Sequence, residues 1–233
     1  SESTIRRDLE ALEHKGVLRR THGGAVSLKD SPQHAMAFAD RQTTAADQKR
    51  AIAALVAGLI PEGQTVILNG GTTCFEVARA LAGRRLSVIT NSLPIASLLS
   101  SDLATEVTLI GGYVYPRTGV ALGPDAERML ADLRAAQLVL SCAGVTEAGG
   151  FNANQMMVDV ERRMMAVADE VILAADHTKF GRVGVAKLFD WSEIDVVATD
   201  AGLSAAARAW LAGRNVRLLQ AEADAAAAGG ATR

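Results

Sequence analysis

From Thr65 to Leu219 the chain repeats one event: a short unbroken run of Val, Ile and Leu, a turn, and then, in most cases, an amphipathic stretch. The apolar runs are TVILN, LSVIT, EVTLI, AQLVLSC, EVILAA, IDVVAT and VRLL, and between most of them lie FEVARALAG, SLPIASLLS, ERMLADL, QMMVDVERRMMAVA and SAAARAWLAG. A strand that faces water on one side alternates apolar and polar residues, whereas a strand covered on both sides reads as a continuous apolar run. Runs of this kind need helices above and below the sheet. They specify an α/β fold with an open, mostly parallel sheet. One more helix, from about Asp47 to Ile60 and closed by PEG, precedes the first run.

The N-terminus has a different pattern. Ile5, Leu9 and Leu12 recur at three- and four-residue steps, with Arg6, Arg7, Glu10 and Glu13 elsewhere around the wheel, which describes an amphipathic helix. Gly16 stops it, VLRR follows as a short strand, THGG supplies a turn and AVSL returns as a second strand. Helix plus hairpin makes a winged half-module over 1–28. Residues 29–46, KDSPQHAMAFADRQTTAA, show no sustained period and read as a linker; 47–220 form the α/β body, and the Ala/Gly-rich residues 221–233 read as a disordered tail.

Charge separates the two ends. The 233 residues carry a formal net charge of -2, so the molecule as a whole is no generic polyanion binder. Residues 1–29 nevertheless hold Arg6, Arg7, Lys15, Arg19, Arg20 and Lys29 against Glu2, Asp8, Glu10 and Glu13, an excess of basic charge that marks this end for an anionic partner. The cysteines, Cys74 and Cys142, lack CxxC spacing and read as reduced core thiols, with neither a disulfide framework nor a zinc site suggested. No apolar run approaches the roughly 20 residues of a membrane span and no signal-peptide pattern is visible, so a cytoplasmic protein without a membrane partner is expected.

In open α/β sheets, ligands sit beyond the carboxyl ends of the strands, where loops feed helix N-termini. The loops at those ends are Asn69-Gly70-Gly71-Thr72-Thr73, Thr90-Asn91-Ser92, Gly111-Gly112, Ala143-Gly144 and Asp176-His177-Thr178-Lys179. Gly allows close backbone approach to an anion, hydroxyls and amides donate, and a helix N-terminus adds partial positive charge. Each loop also fits an ordinary capped turn, but their coincidence at one sheet edge describes a phosphate-sized pocket. With neither GxGxxG nor GxxxxGK[ST] in the chain, a small phosphorylated metabolite fits better than a dinucleotide or nucleoside triphosphate. Lys179 fits a ligand contact or a surface charge. Glu161 fits an exposed i,i+4 pair as well as a pocket carboxylate. Asn152 and Asn154 fit caps or ligand contacts, and His177 fits a turn residue before it fits a base.

Ser1-Glu2-Ser3-Thr4-Ile5-Arg6-Arg7-Asp8-Leu9 resembles the second half of the helix-turn-helix signature of DeoR-type bacterial transcriptional regulators, and EALEHKGVLRRTHGGAV resembles the recognition-helix end and wing that follow it. NGGTT, ITNSLPIA, LIGG, ALGPDAE, SCAGV, NANQMMVDVERRMM and ADHTKFGR are similar to the effector-sensing domain of the same family. The resemblance runs from residue 1 to about 220. It implies a repressor of carbohydrate-metabolism genes, not an enzyme, with a sensor domain similar in fold to sugar-phosphate isomerases. The implied partners are double-stranded operator DNA, a phosphorylated sugar and a second copy of the chain; no cofactor or metal is implied. On the DNA side it implies Ser1, Ser3, Thr4, Arg6 and Arg7 on the recognition helix and Arg20, His22 and Gly23 at the wing. On the effector side it implies Asn69, Gly70, Gly71, Thr72, Thr73, Asn91, Ser92, Gly112, Asn154, Glu161 and Lys179. The family often has Asp where this chain has Asn69, which removes a charge from the pocket. The resemblance further implies that the helix preceding the recognition helix lies upstream of Ser1, so that this stretch alone binds DNA poorly.

Ser and Thr can meet a phosphate at a helix start, and Arg6 and Arg7 can reach phosphates or guanine edges, where a bidentate contact contributes roughly 1–3 kcal/mol of discrimination. The rival reading is an enzyme acting on sugar phosphates, with Asp176, Lys179 and Glu161 as acid, base and electrostatic groups, but it leaves the winged half-module unexplained. A pure protein-interaction module predicts no small-molecule binding.

Overall fold

The computed structural model describes residues 18–21, 24–27 and 38–222. The chain divides into two units, residues 1–36 and 37–233. In the first, β1 (Leu18–Thr21) and β2 (Gly24–Ser27) form an antiparallel hairpin in which Arg20 pairs with Ala25 and Thr21 with Gly24, each strand one residue off the expected VLRR and AVSL. The recognition-helix residues Ser1, Ser3, Thr4, Arg6 and Arg7, the turn residues His22 and Gly23, and the tail beyond Glu222 lie outside the described residues.

The second unit is built on seven parallel strands: β3 (Thr65–Leu68), β4 (Leu86–Thr90), β5 (Thr105–Leu109), β8 (Ala135–Leu140), β11 (Ala168–Ala174), β13 (Val196–Asp200) and β14 (Arg217–Ala221). Their spatial order is β14-β13-β11-β8-β3-β4-β5. Side chains along β3 alternate between two cores. Val66 and Leu68 join the core that holds Ile52 and Val56 of α2 (Ala46–Ala57), Val77 and Leu81 of α3 (Thr72–Leu81) and Ile95 of α4 (Leu93–Leu99). Ile67 points the other way, into the core shared by Leu130 of α5 (Pro124–Ala131), Val158 and Met164 of α6 (Gln155–Ala166) and Leu211 of α7 (Ala205–Ala212). Both faces of the inner strands are covered, which is why β3, β4 and β13 are largely apolar, while the edge strands β5 and β14 are partly exposed.

Three features lie outside the sequence reading. Short antiparallel strands β6 (Tyr113–Tyr115) and β7 (Val120–Leu122) form a hairpin, and β9 (Gly144–Thr146), β10 (Gly149–Asn152) and β12 (Ala186–Phe189) form a second small sheet in the order β12-β10-β9. Part of the span read as linker is helical: α1 covers Phe38–Thr43. Its apolar anchor is Phe38, whose ring meets Phe75 of α3 edge-on at 5.6 Å, while the Phe38 N–H donates to the Arg117 carbonyl at 3.1 Å. This one aromatic contact gives six residues a docking point without the periodicity that a longer helix would show. Helix α2 starts one residue before the expected Asp47 and ends at Ala57, short of Ile60, because Gly58 takes the C-cap and donates its N–H to the Ala54 carbonyl.

Chain order places the site. From β3 the chain proceeds outward to β4 and β5 on one side, then returns to place β8, β11, β13 and β14 on the other. The order reverses between β3 and β8, and the crevice outside their carboxyl ends is the place where such sheets bind ligands.

Candidate functional site

The crevice between β3 and β8 is a narrow cleft of about 20 Å³ lined by Arg41, Gly71, Thr72, Thr73, Ser141, Cys142, Ala174, Ala175 and Lys179. One wall is the start of α3. Its N-cap is Gly71, which has no side chain to cap the helix, so the first-turn amides of α3 keep donors that the helix cannot use itself. Glycine is required there by contact: a Cβ on Gly71 would lie 1.7 Å from the Ser141 Oγ. Gly70 is equally constrained, since its Cβ would meet Val120 Cγ1 at 2.0 Å.

The opposite wall is the turn after β11. Asp176 caps it, its Oδ1 accepting from the Thr178 N–H at 3.0 Å and from the Thr178 hydroxyl, and the Asp200 carboxylate accepts the His177 N–H at 2.7 Å. Asp200 Oδ2 also lies 2.7 Å from His177 Nδ1 and accepts the Gly202 N–H at 3.0 Å. These bonds fix the 3₁₀ turn His177–Lys179 and hold Lys179 over the cleft. Burial lowers the Lys179 pKa, with the nearby Asp176 carboxylate acting in the opposite direction and the Arg41 cation adding to the depression. The cleft is lined by two cations, Arg41 and Lys179, with the single Asp176 carboxylate near them, and such an excess of positive charge is arranged to receive an anion.

Asn69 and Glu161 form the floor. Asn69 is 2% exposed and joins the ends of β3 and β8: Nδ2 donates to the Ser141 carbonyl at 3.0 Å and Oδ1 accepts the Ser141 N–H at 3.1 Å. The same Nδ2 donates to Glu161 Oε1 at 3.1 Å, and Asn152 Nδ2 reaches both Glu161 oxygens at 2.7 and 2.8 Å. Glu161 is therefore a buried carboxyl rather than half of a surface pair. Burial pushes its pKa up to about 8, against the pull of the two amide donors. The two cysteines are free and buried. Their thiols are pushed up to about 12, in both cases by burial first.

The structure sorts the remaining site residues. Gly71, Thr72, Thr73 and Lys179 line the cleft, while Asn69 and Glu161 support it. Asn91 donates to the Ala121 carbonyl at 2.9 Å and Ser92 caps α4 by accepting the Ile95 N–H, so both tie the β4 end to the β6–β7 hairpin and to its own helix. Asn154 caps α6 through the Met157 N–H at 3.0 Å. Gly112, at φ 137°, turns the chain toward β6 with its Cβ direction blocked by the Leu122 carbonyl at 2.6 Å. Asp176, the acid of the enzymatic reading, spends Oδ1 on its own turn.

Five cleft residues have no site role in the sequence: Arg41, Ser141, Cys142, Ala174 and Ala175. Ser141 and Cys142 end a strand run within SCAGV, where the sequence marks Cys142 only as a core thiol. Arg41 sits in the span read as linker.

Residues 44–201 match the DeoR C terminal sensor domain and residues 1–31 match the DeoR-like helix-turn-helix domain. Transcriptional repressor AccR of Agrobacterium fabrum is 37% identical over 209 residues, covering 87% of this chain and 79% of that protein. The lactose phosphotransferase system repressor of Staphylococcus epidermidis is 30% identical over 202 residues, covering 86% of this chain and 80% of that protein. Among solved structures, ribose 5 phosphate isomerase A from Neisseria gonorrhoeae aligns with a TM-score of 0.42 at 14% identity, covering 57% of this chain and 52% of that one.

Proposed function

The chain belongs to the DeoR family of helix-turn-helix transcriptional repressors, and from that premise we propose that its body senses a phosphorylated sugar and so controls operator binding by the N-terminal module. One observation carries the effector reading. The uncapped start of α3 and the Lys179 ammonium face the same cleft at the strand-order reversal. A phosphoryl group satisfies both, taking backbone N–H bonds and helix-dipole stabilisation from one wall and an ion pair from the other. The polar cleft edges supply donors for sugar hydroxyls. A relative named for the lactose phosphotransferase system supports a carbohydrate effector.

The DNA contacts are proposed for Ser1, Ser3, Thr4, Arg6 and Arg7, with Arg20, His22 and Gly23 at the wing. A two-fold operator asks for paired recognition helices, so a homo-oligomer is the expected binding species.

Thermal unfolding with a panel of pentose and hexose phosphates tests the pocket: members of the panel raise the melting temperature by linkage and their unphosphorylated counterparts do not. A flat response across the panel would sink the effector assignment. For the DNA end, the full-length protein should bind its operator with strong salt dependence, weakened by Arg6→Ala with Arg7→Ala. Unchanged affinity in that double variant would refute the recognition-helix assignment.

A further inference from the structure

Arg41 is the residue in the cleft whose hydrogen-bonding capacity is left most conspicuously unused. Its Nε and Nη2 are buried and have no hydrogen-bond partner among the described residues. Burial lowers its pKa. A guanidinium removed from water without an acceptor is unfavourable, and such a group persists where something outside the fold completes it. It lines the cleft together with Lys179 and the α3 start, so the acceptor it lacks and the anion those groups await are placed in one cavity.

Its position in the chain adds a second consequence. Arg41 belongs to α1, which has no buried residue of its own. Besides the Phe38 contacts, α1 is held by Lys49 of α2, whose buried Nζ donates to the Arg41 and Thr44 carbonyls at 2.5 and 2.6 Å. Burial pushes the Lys49 pKa down to about 8; the Asp176 carboxylate acts in the opposite direction, and the Lys179 and Arg41 cations add to the depression. An anion in the cleft therefore stabilises all three cations at once. Helix α1 begins at Phe38, directly after the N-terminal unit that ends at Met36.

We propose that Arg41 is a ligand of the effector's anionic group and that α1, through it, is the element that registers occupancy of the cleft and passes it to the DNA-binding unit. This rests on the effector reading above. It adds a binding residue on the first helix of the second unit and names the phosphoryl group, with its several acceptor oxygens, as the part of the effector that α1 grips.

The test uses the full-length protein, wild type and the variants Arg41→Gln, Arg41→Lys and Lys179→Ala. Binding of the pentose and hexose phosphate panel is measured by calorimetry, and operator affinity is measured with and without saturating sugar phosphate. Arg41→Gln should weaken sugar-phosphate binding by about 10- to 100-fold, the range for loss of a charge-assisted hydrogen bond, and Arg41→Lys by less. Its unliganded melting temperature should hold or rise, since an unpaired buried charge is gone. At sugar-phosphate concentrations that saturate it, Arg41→Gln should show a smaller change in operator affinity than wild type. Wild-type affinity in Arg41→Gln, with binding lost in Lys179→Ala, would overturn the role of Arg41 and leave the pocket reading standing. A large fall in the unliganded melting temperature would make Arg41 a structural residue and overturn the proposal. A full operator response in saturated Arg41→Gln would overturn the reporting role of α1. No binding of the panel by wild type would overturn both readings.

Discussion

Asn69 Nδ2 donates to Glu161 Oε1 at 3.1 Å, joining two residues 92 positions apart at the floor of the cleft. Because that nitrogen also donates to the Ser141 carbonyl, the position needs a donor, and an amide supplies it where a carboxylate does not. Asn69→Asp would set a carboxylate oxygen against both acceptors. Two carboxyl groups at this distance share one proton, so the variant should lose about 2–4 kcal/mol of stability at pH 8, less at pH 5. Thermal unfolding at the two pH values checks it, and equal losses at both would refute the explanation.

Glu161 makes stability depend on pH in a defined direction. Its folded pKa is raised to about 8 from 4.5, so between these values the folded state binds more protons than the unfolded state. The contribution is therefore fully present below pH 4.5 and is lost as pH rises through about 8. One pKa unit corresponds to 1.36 kcal/mol, so the full effect is of the order of a few kcal/mol. Glu161→Gln removes the proton exchange and should flatten the chemical-denaturation stability profile over this window. A slope unchanged in the variant would assign the dependence to other groups.

How far the sequence announced these features follows from where their information resides. Burial on both faces makes an inner strand such as Thr65–Leu68 almost wholly apolar and visible as composition, whereas the edge strands Thr105–Leu109 and Arg217–Ala221 are partly exposed and mix polar residues into shorter apolar runs. The three-residue strands Tyr113–Tyr115 and Val120–Leu122 are too short to develop a period, and their pairing is a tertiary fact. The Gly70-Gly71-Thr72-Thr73 loop was legible because glycine is demanded by contact with Val120 and Ser141. Glu161 was ambiguous because Arg162 and Arg163 beside it suggest a surface helix, whereas its own helical face is buried. Arg41 gave no signal, since its significance comes from the docking of a six-residue helix over a cleft formed elsewhere.

The turn that carries Lys179 depends on Asp200, which is 6% exposed and accepts hydrogen bonds from both the His177 and Gly202 N–H groups. Asp200→Ala leaves these donors without an acceptor, each omission worth about 1–3 kcal/mol where water cannot substitute. The variant should lose about 2–4 kcal/mol in urea unfolding and should also bind sugar phosphate more weakly than wild type, because Lys179 loses its fixed position. Weakened stability with wild-type ligand affinity would separate the turn from the site.

Gly71 and Ser141 are coupled by space across the two strands whose ends form the crevice. A Cβ on Gly71 would lie 1.7 Å from the Ser141 Oγ and 3.0 Å from the Ser141 Cβ. Gly71→Ala alone should therefore destabilise by about 1–3 kcal/mol, the range for overpacking, and move the first turn of α3 away from the cleft. Ser141→Gly alone removes both opposing atoms and also the hydroxyl that donates to Asn69 Oδ1 at 3.3 Å, a change worth about 1 kcal/mol before the backbone entropy of glycine is added. In the double variant the new methyl occupies the space vacated by Ser141, so the two losses should not add. A favourable coupling energy of about 1 kcal/mol or more from the four-protein cycle is expected, with part of the sugar-phosphate affinity restored relative to Gly71→Ala. Strict additivity would mean that the strain at Gly71 is relieved by motion of α3 rather than by contact with Ser141.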